Sequence, residues 1–297
     1  MNTDELKAHY SDIRKVLIWV LALNWAVAVA KLLYGLFSRC TSMTADGFHS
    51  LSDGTSNIIG LIGIHFACQP KDYDHPYGHK KYETFFSIGI ALLLFLVCFN
   101  LFKECIKRLY NPVTPQVDFK SFSVMIITLG INFWVMNYEY KKGKLLQSDI
   151  LISDSLHTKA DILTSLSVII ALIFIKLGFP LIDPIISIII SLFIAYAGYG
   201  IIKQGSAVLC DTAPIVDVRK IVVIVMGVRG VKTCHKIRTR GRPDDIHLDL
   251  HVQVNPDMHM EEAHKISYEI EGLIKKEIPE ITDVVVHMEP KEKSDTS

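Results

Sequence analysis

No C-x-x-C pair occurs in this sequence, and its six cysteines (Cys40, Cys68, Cys98, Cys105, Cys210, Cys234) are scattered. A disulfide framework needs a small secreted chain, and 297 residues make this neither small nor cysteine-dense. Four of the six lie in or beside apolar runs, where a free cysteine behaves as a small hydrophobe. Net charge is lacking too. Thirty-one basic residues balance 31 acidic ones, which leaves no basic field to hold nucleic acid. The base-bearing H-E-x-x-H motif of a metalloprotease is missing, so the sequence predicts no enzyme. Met1–Lys15 is polar and mixed in charge, and the apolar run after it is too long for a signal-peptide core.

Apolar sequence, by contrast, is abundant. Half the residues are hydrophobic, too many for an ordinary soluble domain of this length. Crossing ~30 Å of hydrocarbon takes about 20 mostly apolar residues. Six runs qualify: Val16–Phe37, Ser42–Cys68, Thr84–Leu109, Phe119–Tyr138, Asp149–Leu177 and Leu181–Ile202. Short connections such as Gly178–Pro180 force neighbouring helices to run antiparallel, and six spans put both termini on one side. Nine basic residues fall on the side of the termini against six on the other, a mild bias that places the termini in the cytoplasm.

From Asp211 onward the pattern is that of a soluble domain. Ile215–Met226 and Met260–Ile278 read as helices, while Val231–Thr239, Ile246–Val254 and Val284–Glu289 alternate like strands. The order helix–strand–strand–helix–strand predicts a small α+β sandwich of the ferredoxin-like or metallochaperone-like kind, helices on one sheet face and the other face open. The expected organisation is a transmembrane domain over residues 1–210, a cytoplasmic soluble domain over 211–290, and a structureless polar tail over 291–297.

Two spans are less apolar than the rest. The second contains Asp46-Gly47-Phe48-His49-Ser50-Leu51-Ser52-Asp53, and the fifth Asp154-Ser155-Leu156-His157-Thr158-Lys159-Ala160-Asp161. Both spell D-x-x-H-x-x-x-D. The i, i+4 spacing puts His49 with Asp53, and His157 with Asp161, on one face of each helix. If the two faces meet, two imidazole nitrogens and two carboxylate oxygens make a tetrahedral set suited to zinc. Depth agrees: Asp53 lies about 22 Å from the inner end of its span and Asp161 about 18 Å from that of the fifth. An acid at a helix centre costs roughly 2.5–3.5 kcal/mol on insertion scales, so intramembrane acids default to function. Two copies of one pattern argue against mere helix–helix glue. Asp46 and Asp154 have two open readings, a stepping or proton-bearing carboxylate or a hydrogen bond to a neighbouring helix. Lys31 in the first span is expected to pair with an acid or to snorkel.

Two further groups carry metal-ligand chemistry. Asp72, His75 and His79 have ligand spacing on a loop that Pro76 and Gly78 make turn; metal site and plain loop are both open. In the soluble domain, alternation puts Leu248, Leu250, Val252 and Val254 on one sheet face, and His247, Asp249, His251 and Gln253 on the other. His287 and Glu289 collect on that open face, with His235 able to join them; imidazole and carboxylate suit zinc. His264 on the second helix can reach in or stay outside, and His259 is expected to be exposed.

Together these residues resemble the cation diffusion facilitator family over nearly the whole chain. His49/Asp53 and His157/Asp161 match its intramembrane pairs, and the His-plus-Asp set resembles its zinc-preferring branch. Asp72–Glu83 is similar to its D-x-x-H-x-x-G-H-x-K-x-E loop. His235, His251 and the His287-Met288-Glu289-Pro290 ending resemble its cytoplasmic metal cluster, with His247 a less regular member. The resemblance implies a homodimer in a lipid bilayer, with Lys81 and Asp211 at positions of a charged interlock. It also implies proton-coupled efflux, read here as Zn²⁺ export from the cytoplasm, and the expected location is the cell (inner) membrane. Zinc would be both substrate and a structural or regulatory ion. Transport of Mn²⁺, Fe²⁺, Co²⁺ or Cd²⁺ by the same route, or a membrane-anchored metal sensor, is the alternative.

Overall fold

The computed structural model describes residues 3–37, 41–110, 119–176, 182–213 and 216–291. The chain divides into two compact units, Asn2–Gly205 and Ser206–Ser297.

The first unit is built from six long helices: α1 (Thr3–Phe37), α2 (Thr41–Ala67), α3 (Lys81–Tyr110), α4 (Phe119–Leu145), α5 (Asp149–Lys176) and α6 (Ile182–Leu209). The shortest has 27 residues, which at 1.5 Å rise gives about 40 Å, longer than a bilayer's hydrocarbon. Among the described residues, Lys7–Leu33, Lys81–Lys103 and Ile188–Leu209 are long and apolar enough to cross a membrane. The helices follow the six predicted runs. α1 and α4 extend further into polar sequence because a started helix continues until a breaker stops it.

Large apolar side chains face outward on this unit. Trp19 is 73% exposed, and Phe99, Phe193 and Tyr196 are similarly displayed. Such a surface is costly in water and natural in lipid. Inside, Tyr10, Ile13 and Leu17 of α1 pack with Ile64, Ile90, Val135, Ile150 and Leu151 from the next four helices. Close approach depends on small residues of α2. A Cβ at Gly60 would stand 2.8 Å from Ile150, and one at Gly63 would meet Ile150 and Phe86 at 2.7 Å. The start of α5 is fixed in the same place. Ser148 caps the helix by accepting from the Leu151 N–H at 3.3 Å, and its hydroxyl donates to Glu83. Thr84 donates to Asp149 at 2.6 Å, so α3 and α5 are joined at their first turns.

The second unit holds α7 (Val218–Met226), β1 (Thr233–Arg242), β2 (Asp245–Val254), α8 (Met260–Glu277) and β3 (Ile281–Pro290). The expected element order is present. α7 starts later than the periodicity suggested, because Asp217 caps it by accepting from the Arg219 N–H. Ile215, where the sequence placed the start, lies outside the described residues. β1 and β2 form an antiparallel hairpin with Arg242 opposite Asp245, leaving a two-residue turn. Gly241 enters that turn at φ +108°, a conformation only glycine adopts freely. β3 lies parallel to β2, and α8 makes the crossover such a pairing requires. Leu248, Leu250, Val252 and Val254 are buried against Ile221 and Val225 of α7 and Ile266, Ile270 and Ile274 of α8. At roughly 1.5–3 kcal/mol per buried aliphatic side chain, this layer holds the domain together. The opposite sheet face carries mostly polar side chains, with Val285 exposed among them.

Candidate metal centres

Within the helical unit a polar cavity of about 20 Å³, room for one water-sized body, is lined by Asn24, Lys31, Ser50, His157, Thr158 and Asp161 among others. His157 is only 5% exposed, so its imidazole is held in a dehydrated place. The pair predicted on the fifth span therefore borders one chamber. On the α2 side, Ser50 lines it, one residue after His49 and three before Asp53. The side chains of Asp46, His49 and Asp53 lie outside the described residues. Lys31 donates to Ser50 Oγ at 2.9 Å.

The loop before α3 brings its three predicted residues together. Asp72 Oδ1 accepts from the His75 N–H at 2.7 Å, and that bond holds the Asp72 carboxyl below the usual carboxylate range. His79 Nε2 lies 3.3 Å from Asp72 Oδ2, and the two imidazole rings are 4.2 Å apart. One ligand atom from each of the three falls within 4.8 Å of the others. His79 is almost fully buried, and its Nδ1 has no hydrogen-bond partner among the described residues. A buried ring nitrogen without a donor or acceptor is costly, and coordination would satisfy it. Gly78, at φ +95°, gives the loop its turn.

On the open face of the sheet, His235, His251 and His287 stand in one row, because pairing sets His235 opposite His251 and His251 opposite His287. Glu289 reaches all three. Its Oε1 is 2.6 Å from His251 Nδ1 and 3.6 Å from His287 Nε2, and its Oε2 is 3.2 Å from His235 Nε2. The His251 bond holds the Glu289 carboxyl below its ordinary range. His235, His251 and Glu289 satisfy the spacing of a metal site. A bulge between His235 and Arg238, with Lys236 at φ +49°, sets β1's register there.

Two predicted residues stand apart from this row. His247 shares the face of His251, but four residues along a strand is about 13 Å. It is buried between Asp283 at 3.6 Å and Asp245 at 4.0 Å. His264 lies on α8 with its ring edge-on to Tyr268, 4.7 Å between centroids. His259 is exposed and caps α8, its Nδ1 accepting from the Glu261 N–H.

The sequence model of the cation efflux transmembrane domain matches residues 17–210, and that of the cation efflux protein cytoplasmic domain matches residues 213–291. The chain belongs to the cation efflux, or cation diffusion facilitator, family. It is accordingly an integral membrane transporter of divalent metal cations and not an enzyme. Among similar proteins is an uncharacterised transporter of Methanocaldococcus jannaschii, 29% identical over 94% of this chain and 98% of its own. The manganese efflux system protein MneS of Bacillus subtilis is 26% identical over 90% of this chain and 91% of its own. The cation-efflux pump FieF of Shewanella oneidensis is 27% identical over 92% and 94%. A solved C-terminal domain of MamM is 28% identical over 25% of this chain and 92% of that one, with a TM-score of 0.24.

This cation efflux protein also contains buried polar residues outside those motifs. Asn24 Nδ2 donates to Asn57 Oδ1 at 3.2 Å, and Asn57 in turn donates to Asp154. Glu139 of α4 is 0% exposed and accepts from Thr158 Oγ1 at 3.1 Å. The signal was present in α4: Thr128, Asn132 and Glu139 recur at i, i+4 and i+11, a polar stripe along one helix face. Ending the fourth span at Tyr138 had put Glu139 outside it.

Proposed function

We propose that this transporter exports Zn²⁺ from the cytoplasm in exchange for protons, through a site made by His49, Asp53, His157 and Asp161. The observation that carries the reading is the chamber itself. A buried imidazole and a carboxylate one helical turn apart border a cavity sized for a single ion, and the α2 segment carrying the matching pair borders it too. Mixed imidazole and carboxylate donors favour zinc over harder cations. Imidazole must be neutral and carboxylate ionised to bind, so metal entry releases protons and acid on the far side expels the ion. Alternating access between two bundle conformations would couple the two flows.

On this reading the protein sits in the cell membrane with both termini cytoplasmic and works as a homodimer through its C-terminal domain. The Asp72/His75/His79 and His235/His251/His287/Glu289 groups hold resident ions; those on the sheet report cytoplasmic zinc and shift the conformational balance. Manganese is the second reading, favoured by the name of the Bacillus subtilis relative. The imidazoles argue against it, since manganese prefers oxygen donors.

The test is metal flux into proteoliposomes carrying an imposed pH gradient. Gradient-dependent zinc uptake, outcompeting manganese and lost in both Asp53→Ala and Asp161→Ala, is the expected result. Uptake that survives both substitutions would falsify the four-residue site.

A further inference from the structure

Glu139 and Asp154 have no part in the site just proposed, yet both are buried acids on membrane helices. Glu139 is 0% exposed and Asp154 1%. Glu139 lies six residues before the end of α4 and Asp154 five residues after the start of α5. At helical rise both stand about 8–9 Å from the turn between these helices, level with each other. His157 and Asp161 lie one and two turns further along α5, so the pair stands between that turn and the chamber.

Thr158 brings the two residues together, its Oγ1 lying 3.1 Å from Glu139 Oε2 and 3.2 Å from the Asp154 carbonyl oxygen, and the two carboxyl groups interact directly. Donors hold each from behind: Thr158 Oγ1 donates to Glu139 Oε2, and Asn57 Nδ2 to Asp154 Oδ2. No donor among the described residues reaches Glu139 Oε1. Helix–helix adhesion alone is a poor account of this arrangement. A glutamine would bond Thr158 equally well, while an acid in the bilayer carries an insertion cost and defaults to function. Two carboxylate oxygens bound to one divalent ion at about 2.1 Å, at right angles, stand about 3 Å apart, which is contact distance for such a pair. Ser56, also in contact with Asp154, and Thr158 line the chamber, so the pair adjoins it.

We infer that Glu139 and Asp154 form a second, oxygen-donor station that binds a divalent metal ion beside the His157/Asp161 chamber. Two carboxylates neutralise a dication, and an all-oxygen set favours hard ions such as Mn²⁺ and holds zinc loosely enough to pass on. The station's place on the transport route rests on the proposed function; its ability to bind does not.

The experiment counts Mn²⁺ bound to the detergent-solubilised full-length protein by electron paramagnetic resonance at fixed pH. Expected: Glu139→Gln and Asp154→Asn each remove one bound ion or weaken it tenfold or more, and a protein carrying His157→Ala with Asp161→Ala keeps that ion. An unchanged count in both single variants overturns the inference. So does loss of every bound ion in both, which marks a structural role, or loss of this ion in the chamber variant. An unchanged count accompanied by fewer protons released on zinc binding also overturns it, assigning the pair to a proton instead. If the station behaves as expected while flux survives in the chamber variant, the station stands and the proposed route falls.

Discussion

The chamber in the helical unit and the histidine row on the sheet use the same side-chain types in opposite physical settings. In the chamber, His157 is 5% exposed and is set by helix packing. On the sheet, His235, His251 and His287 are 35%, 19% and 63% exposed, and Glu289 already lies against all three, closest to His251 at 2.6 Å. An ion entering the chamber gains from a low-dielectric surrounding that screens it little. An ion entering the sheet site must first displace hydrogen bonds that are satisfied without it. The first arrangement suits a step that must be tight and then released by a conformational change. The second suits reversible occupancy that follows metal concentration.

The largest expected effect lies in that contrast. Substituting groups that merely support a metal ligand costs about 10–100-fold, so removing a ligand should cost at least as much. His157→Ala is expected to lower zinc flux in proteoliposomes by about 100-fold or more. His251→Ala, measured alongside, should leave flux at saturating zinc within a few-fold of the intact protein. Equal losses would erase the distinction between the two sites.

A middle-sized effect concerns affinity. His251→Ala should weaken zinc binding to the C-terminal unit of the full-length protein by about 10–100-fold, because Glu289 then loses its closest imidazole and the row its centre. Calorimetric titration that separates the site classes would measure it. An unchanged affinity would put the resident ion elsewhere, with the Asp72/His75/His79 loop the next place to look.

Acid sharpens the comparison with a smaller effect. The hydrogen bond from His251 holds Glu289 below its ordinary range. A carboxyl depressed in the folded state contributes stability that is complete above its unfolded value of about 4.3 and is lost as pH falls through the folded value. The metal-free sheet should therefore loosen below about pH 4, and Glu289→Gln should flatten that slope while lowering protection at neutral pH. Hydrogen exchange of β2 and β3, corrected for its intrinsic pH dependence, would register both. A slope identical in the variant would trace the acid sensitivity to other carboxyls.

How far these sites were legible in the sequence differs between the units for a physical reason. Strand alternation has period two, so Leu248, Leu250, Val252 and Val254 declared the core face, and His251 and His287 the open one. Alternation names a face and not a distance along it. His247 accordingly shared the predicted face and yet sits beside Asp283, at the other end of the strand. The paired D-x-x-H-x-x-x-D segments were conspicuous because acids are rare in apolar runs. Glu139 was not, because Tyr138-Glu139-Tyr140-Lys141-Lys142 reads as the polar end of a span. Hydropathy averages along the chain, and burial at a helix end depends on neighbours such as Thr158 of α5 that no average contains.

The smallest expected effect tests the edge of the sheet site. His264 carries a ligand side chain, and sequence alone left it able to reach the open face. α8, however, packs Ala263, Ile266, Ile270 and Ile274 against the buried face of the sheet. His264 is exposed on that helix, its ring against Tyr268. A ligand to the histidine row would have to cross the sheet, which a single imidazole cannot do. His264→Ala should therefore leave both the zinc stoichiometry and the affinity of the C-terminal unit unchanged, with stability within about 0.5 kcal/mol, as for an ordinary surface substitution. A lost ion in that variant would mean that His264 serves a separate site on the helical side of the domain, and the division into a metal-bearing face and a packing face would fail.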